Sequence, residues 1–298
     1  MILLEPSYKI LEETLRERFS NEPEKLVMNV ADFDGVTYRV STPESKSVLN
    51  ISMSLKCYPG VQQYGADDVL RRIYGDALVA PEPGFDVTIR IDQDNLPADR
   101  EALIRQIALL KRNALAAPFE AAFAAQTNGQ ETQLMTVHYR EQEAYYIKAQ
   151  HDRVTVIFST VFKEETDRIF GKVFLQEFVD ARRLPALQNA PQVLYSPREP
   201  PLELRGVPGV QDSENVAYVT FVLFPRHFAA NVQEDTISRI QLFRDYLHYH
   251  IKASKSYMHS RMRTRVDSFL KVLNRAKPEQ PDDKKQMKTA SGKTFKRA

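Results

Sequence analysis

Two carboxylates on alternate residues, Asp32 and Asp34, close an apolar run at Ala31-Asp32-Phe33-Asp34-Gly35-Val36. At the end of a strand such a pair can supply a nucleophilic carboxylate and a general acid–base group beside a bound Mg²⁺. That chemistry needs further acids to complete the metal site. Gly65-Ala66-Asp67-Asp68 offers them, but only about thirty residues later, too soon for the several strand–helix units such a site places in between. Alternation also resumes at once, with Thr37, Tyr38, Arg39 and Val40, as in a hairpin after a tight Asp-Gly turn. We read the hexapeptide as a turn.

The hexapeptide resembles the first motif of haloacid-dehalogenase-type phosphatases, where Asp32 would be the nucleophile and Asp34 the acid and base. Two further sites resemble chemistry and fall short of it. Ser291-Gly292-Lys293-Thr294 looks like the end of a phosphate-binding loop, but the glycine required five residues before Gly292 is Met287. His248 and His250 are two apart on a helix and face different ways, so they make poor joint metal ligands; with Tyr249 and Tyr257 they read as packing or capping residues. The chain has ten glycines and no Gly-x-Gly-x-x-Gly. No nucleophile, base and oxyanion donors come together. No catalytic residue, metal or cofactor is expected.

The elements that would position such residues form two similar series. In the first, Val30–Val40 is a strand broken at Asp34-Gly35 and Val48–Leu55 a second strand. Asp67–Leu78 has helical spacing, Phe85–Ile91 alternates as a strand, and Asp99–Phe123 is a long amphipathic helix. In the second, Thr136–Lys148 and Val154–Phe162 are strands, Thr166–Arg182 a helix, and Gln192–Tyr195 and Val216–Phe224 strands before a last helix. Val48 matches Val154 and Val87 matches Val193, both at an offset of 106 residues. Short turns between neighbouring strands favour antiparallel pairing. The fold class is α+β (mixed α/β): two similar domains with antiparallel sheets and helices, followed by a long C-terminal helix. The expected boundaries are 1–125, 126–228, 229–277 for the helix, and 278–298 for a basic, flexible tail. Between the second series' helix and its last strand lies a proline-rich passage, Ser196-Pro197-Arg198-Glu199-Pro200-Pro201 to Gly206-Val207-Pro208-Gly209. It is either a contact loop or a plain surface excursion.

The last helix is the most telling element. From Asp235 to Asn274 some forty residues pass without Gly or Pro, enough for a helix roughly 60 Å long. Ile237, Ile240, Phe243, Leu247, Ile251, Met258, Met262, Val266, Phe269 and Leu273 recur mostly at three- and four-residue steps, forming one apolar stripe. Each large side chain on it is worth about 1.5–3 kcal/mol when buried. Two readings cover the stripe: the chain's own domains, or a partner helix lying along Ile240, Phe243, Leu247, Ile251, Met258, Met262, Val266, Phe269 and Leu273.

Charge distinguishes this end of the chain. The 298 residues are 43% hydrophobic and carry a net charge of +2. From Lys255 onward thirteen Lys and Arg face four Asp and Glu, a net +9, so the preceding 254 residues are net −7. An acidic partner is expected at that end: nucleic acid, an anionic membrane or an acidic protein polymer. The basic residues lack interleaved aromatics for stacking on bases, and no stretch is apolar enough to span a membrane. Cys57 is the single cysteine, which excludes an internal disulfide and fits a reducing compartment. Asn50-Ile51-Ser52 matches a glycosylation sequon but lies in an apolar strand. Met1-Ile2-Leu3-Leu4-Glu5 becomes charged too soon for a signal peptide. A cytoplasmic protein is expected.

Several runs carry a family resemblance. They are Ala31–Val36, Leu110-Lys111-Arg112-Asn113, Asp152–Thr160, Ala190–Leu194 with Arg198–Glu203, Phe221–His227, Phe243–Lys252 and Leu270–Ala276. Over nearly its whole length the chain resembles the subunit 2 family of the actin-related protein 2/3 complex, which nucleates branched actin filaments. The resemblance implies two α/β domains followed by a long C-terminal helix that pairs with the helix of subunit 4. The two actin-related subunits would sit against that core, and the pair would contact the side of the mother filament. It implies no catalytic residue in this subunit, no nucleic acid and no membrane. Actin is acidic, so Lys255, Arg261, Arg263, Lys271, Arg275, Lys277, Lys284 and Lys285 become the candidate filament contacts. The expected location is the cytoplasm and actin cytoskeleton.

Overall fold

A computed structural model describes residues 4–210, 212–275, 287–288 and 294–295. Internal contacts divide the chain into two units, Met1–Ile251 and Lys252–Ala298. The first unit opens with α1 (Lys9–Ser20), whose Leu11, Leu15 and Phe19 are buried at four-residue steps. β1 (Val27–Ala31), β2 (Thr37–Ser41) and β3 (Val48–Ser54) follow, then α2 (Tyr58–Gln62), α3 (Ala66–Tyr74), β4 (Leu78–Val79) and β5 (Val87–Asp92). α4 (Arg100–Ala108) and α5 (Leu110–Thr127) complete the first series. The second series is β6 (Met135–Val137), β7 (Tyr145–Ala149), β8 (Val154–Val161), α6 (Glu165–Ala181), β9 (Gln192–Pro197), β10 (Val216–Leu223), α7 (Gln233–Gln241) and α8 (Phe243–Arg275).

Both sheets are antiparallel and share one plan, β1-β2-β3-β5-β4 and β6-β7-β8-β10-β9. The mixed α+β class and the long C-terminal helix are as expected from the sequence. β3 and β8 begin at Val48 and Val154, the offset read from the sequence. The match of Val87 with Val193 is corrected. Val87 lies on β5, whose counterpart in sheet order is β10, whereas Val193 lies on the edge strand β9, the counterpart of β4. β4 is two residues long and leaves no alternation to read.

Three segments read as continuous are divided. Thr136–Lys148 is the hairpin β6–β7. Asp99–Phe123 is α4 and α5, which meet at Leu109, and Asp235–Asn274 is α7 and α8, which meet at Leu242. Neither junction has Gly or Pro. At Leu242 the hydrogen bonds Leu242 N to Ser238 O, 3.2 Å, and Tyr246 N to Leu242 O, 2.9 Å, persist, so only one residue interrupts the helix.

α5 is the inner layer. Its Ala114, Ala116, Ala117 and Ala122 are buried, and small side chains allow close approach on every side. It packs on α2 and α3, on β7 and β8, and on α7. β8 and β10 are buried almost throughout, because the proline-rich passage covers the far face of the second sheet. Leu204 is fully buried there, with Val207 and Val210 against Tyr146, Ile157 and Tyr218. Arg198 takes the left-handed φ of 69° in that cover, with its N–H donating to Val216 O at 3.1 Å and its guanidinium 3.1 Å from Glu214. In the first sheet Glu82 accepts from Asn50 Nδ2 at 3.0 Å and Ser52 Oγ at 2.9 Å. The sequon residue Asn50 is therefore buried and occupied.

In the second unit, α8 residues from Lys252 onward are exposed apart from half-buried Lys255. β11 (Met287–Lys288) and β12 (Thr294–Phe295) form a short antiparallel ladder. Lys277, Lys284, Lys285 and Ser291-Gly292-Lys293 lie outside the described residues, as does most of the expected tail.

Where α6 crosses the start of α8, Gly171 allows contact. A Cβ there would stand 2.6 Å from Phe162 Cζ and 3.3 Å from Ile251 Cδ1, and Phe162 is buried. Overpacking costs about 1–3 kcal/mol, against roughly 1 kcal/mol gained in helix propensity. Gly171→Ala is expected to lower stability by up to about 2 kcal/mol in urea unfolding; a raised midpoint would refute this packing.

Candidate functional site: a buried ion chain and an exposed helix face

The Asp32–Gly35 segment is a clamped turn. Asp32 Oδ1 accepts from Asp34 N and Val36 N, both at 2.9 Å. Gly35 N donates to Asp32 O at 3.1 Å, and Gly35 takes φ 76°, a conformation glycine adopts without steric cost. Both carboxylates are held by cations of the chain itself. Lys111 Nζ, from the first turn of α5, lies 2.6 Å from Asp32 Oδ2 and also bonds Asp34. Arg140, from the β6–β7 loop, bonds Asp34 from the other side and donates to Phe33 O at 3.1 Å. The alternating acids suited to phosphatase chemistry are thus neutralised by tethered cations and serve to fix a hairpin.

The ion pairs continue across the second series. Arg140 Nε lies 3.8 Å from Glu143, which accepts from Arg244 Nε at 2.9 Å and from Val161 N at 3.0 Å. Arg244 Nη1 reaches Asp245 at 3.4 Å. The chain of charges thereby runs from the β1–β2 turn through α5 and the β6–β7 loop to the first turn of α8. Burial pushes Asp34 up, but Lys111 and Arg140 outweigh it and hold the carboxyl at about 2. Burial lowers the Lys111 ammonium, and Asp34 and Asp32 more than reverse this. Asp245 is raised by burial and by the charge of Asp34.

Each polar residue of Lys111-Arg112-Asn113 ties α5 to a different element. Arg112 Nε donates to Ser238 Oγ at 3.0 Å and Nη2 to Glu234 O at 2.8 Å, both on α7. Asn113 Nδ2 donates to Tyr74 Oη on α3 at 3.0 Å. His248 lies against Phe162 with its Nε2 3.9 Å from Glu143, and His250 stacks on Phe174 at 5.3 Å.

The stripe assigned to a partner helix is divided. Ile240, Phe243, Leu247 and Ile251 are buried in the first unit, at 5% exposure or less. Phe243 packs edge-on to Phe221 at 4.9 Å and close to Phe158. The chain's own body covers these four, so the surface open to a partner begins after Ile251. Met258, Met262, Val266, Phe269 and Leu273 are exposed, between 41% and 63%, at steps of four, four, three and four residues. Tyr257, Leu270 and Val272 are exposed beside them. Among the candidate filament contacts, Arg261, Arg263, Lys271 and Arg275 are exposed. Arg261 lies over the Tyr257 ring at 5.6 Å and Lys271 pairs with Asp267 at 2.7 Å.

An α+β body followed by a long helix with an exposed apolar stripe defines a class: proteins built as one part of a larger assembly. The chain belongs to the family described as the 34 kD subunit, p34-Arc, of the Arp2/3 complex, whose profile matches residues 51–280. It is 51% identical over 320 residues to actin-related protein 2/3 complex subunit 2 of Schizosaccharomyces pombe (strain 972 / ATCC 24843), covering 100% of both chains. It is 43% identical over 300 residues to the protein of the same name in Dictyostelium discoideum, covering 99% of each.

The ion chain predicts a pH dependence. Asp34 is held below its ordinary value of 3.8, so it stabilises the fold above that value, and the contribution fades as pH falls through about 2. Asp34→Asn, which leaves Lys111 and Arg140 short of a partner, is expected to cost about 2–3 kcal/mol at pH 7. The gap between variant and parent should narrow as pH falls from 4 toward 2. A gap in urea unfolding that stays constant over that range would exclude this role.

Proposed function

We propose that this chain is a structural, non-catalytic subunit of the Arp2/3 complex, pairing with subunit 4 through α8 and lending a basic surface to the side of the mother actin filament. One observation carries the reading: five large apolar side chains, Met258, Met262, Val266, Phe269 and Leu273, stand uncovered on one helix at near-heptad steps. At about 1.5–3 kcal/mol each on burial, they favour a long helical partner strongly. Family membership supports the assembly, and the resemblance supports subunit 4 as the partner. In this reading residues 1–125 and 126–228 set the spacing of the two actin-related subunits, and the complex works in the cytoplasm on the actin cytoskeleton.

The basic face gives the second part. Arg261, Arg263, Lys271 and Arg275, joined by Lys255 and by Lys277, Lys284 and Lys285 beyond α8, would dock on filament acids. Exposed pairs are worth about 0–1 kcal/mol each, so docking should need many of them and weaken with salt.

The divided stripe selects the test of pairing. Leu247 is fully buried, so an acid there would unfold the body and report nothing about a partner. Met262→Asp with Phe269→Asp places charge only on exposed positions. The isolated variant should match the parent's unfolding midpoint yet fail to pair with subunit 4 when co-expressed; recovery of the pair at normal yield would overturn the assignment. Reversal of Arg261, Arg263, Lys271 and Arg275 to Glu should leave assembly intact and lower co-sedimentation with filaments by about tenfold. Equal sedimentation at low and high salt would argue against basic docking.

A further inference from the structure

Phe33 sits at the tip of the β1–β2 turn with its side chain 100% exposed. Among the described residues no other large hydrophobic side chain is fully exposed. Aromatic tips on mobile loops are common and carry little meaning, but this turn is not built as a mobile loop. The residue on each side of Phe33 is pinned: Asp32 by two backbone N–H groups and Lys111, Asp34 by Lys111 and Arg140. The carbonyl of Phe33 itself accepts from Arg140 at 3.1 Å. Four ionic groups from three separate chain segments thus converge to hold a ring in water. Among the described residues nothing covers that ring.

We infer that Phe33 is a preorganised anchor that inserts into an uncharged apolar pocket on another subunit of the assembly. The inference rests on the reading of this chain as an Arp2/3 complex subunit. Three observations select the occupant. Asp32 and Asp34 are balanced by Lys111 and Arg140, so the ring's surroundings carry no net charge and suit a neutral pocket rather than an acidic or basic one. The turn is fixed before binding, which removes most of the ordering cost that weakens loop-borne contacts. A single large ring, with no second apolar side chain on the tip, fits a pocket rather than a flat face or a helix groove. The turn shares no residue with the apolar stripe of α8, and it gives the phosphatase-like hexapeptide a use: the alternating acids are spaced to grip the turn on either side of one presented aromatic.

The experiment replaces Phe33 with a photoreactive phenylalanine analogue in the full chain, assembles it with the remaining subunits, and irradiates the purified complex. In parallel, Phe33→Ala and Phe33→Leu complexes are assembled and subunit exchange is followed by native mass spectrometry. We expect one defined crosslink, to apolar residues of one other subunit. Phe33→Ala should raise the exchange rate of the contacted subunit at least about tenfold, and Phe33→Leu should raise it less. Both isolated variants should unfold at the parent's midpoint, because the side chain is buried against nothing in this chain. The inference is overturned if Phe33→Ala exchanges at the parent's rate. It is equally overturned if the photoprobe reacts only with solvent or with a second copy of this chain, or if it reports insertion into added phospholipid vesicles. Failure of the unmodified chain to enter the complex would instead overturn the proposed function.

Discussion

Lys111 is the interaction on which the rest of the body depends. Its ammonium lies between Asp32 and Asp34, and the guanidinium of Arg140 completes the balance of charge. Removing several ionic groups from water is costly unless each finds a partner of opposite sign and good geometry. Here the partners come from the β1–β2 turn of the first sheet, from the buried helix α5, and from the β6–β7 loop of the second sheet. The requirement of neutrality therefore couples segments far apart in sequence. Through Glu143 the same chain of charges reaches Arg244 and fixes the first turn of α8. The first turn of α8 is held by this electrostatic pairing as well as by the apolar contacts of Phe243 and Leu247.

The two uses of α8 differ in what surrounds the side chains and not in their spacing. Leu247 and Met262 belong to one continuous periodicity, yet one is fully buried and the other is 57% exposed. A single helix thus anchors itself in its own fold with one end of its stripe and leaves the other end exposed. The anchored end is rich in aromatic contacts, with Phe243 meeting Phe158, Phe178 and Phe221. The exposed end carries Met258, Met262, Val266, Phe269 and Leu273 among basic residues.

Much of this was legible in the sequence, and the failures have physical causes. β3, β8 and β10 were readable because alternating or continuous β-branched runs fit buried strands. The turn at Asp34-Gly35 was readable because glycine supplies a positive φ. α1 carries its pattern in Leu11, Leu15 and Phe19 at four-residue steps. The breaks at Leu109 and Leu242 carry no Gly or Pro, since tertiary packing and not local propensity divides those helices. The turn between β6 and β7 carries no Gly or Pro to mark it; Arg140 N donates to Glu143 O at 3.2 Å, and the two side chains also pair with Asp34 and Arg244, which are distant in sequence. The division of the apolar stripe was illegible for the same reason: periodicity tells which side chains share a face, and only the assembled body tells what lies against them. Phe33 gave no local sign at all, because exposure is a property of the completed turn.

Cys57 gives the fold a consequence of another kind. The thiol is buried at the start of α2, and burial pushes it up to about 11, so neither access nor ionisation favours its reaction. A sulfhydryl in that position is a built-in clock for breathing of the body: reagent reaches it only during transient opening. Because it is the sole one in the chain, the rate of its modification reads a single event. That rate would tell whether joining the assembly quiets the body, with no label or substitution added.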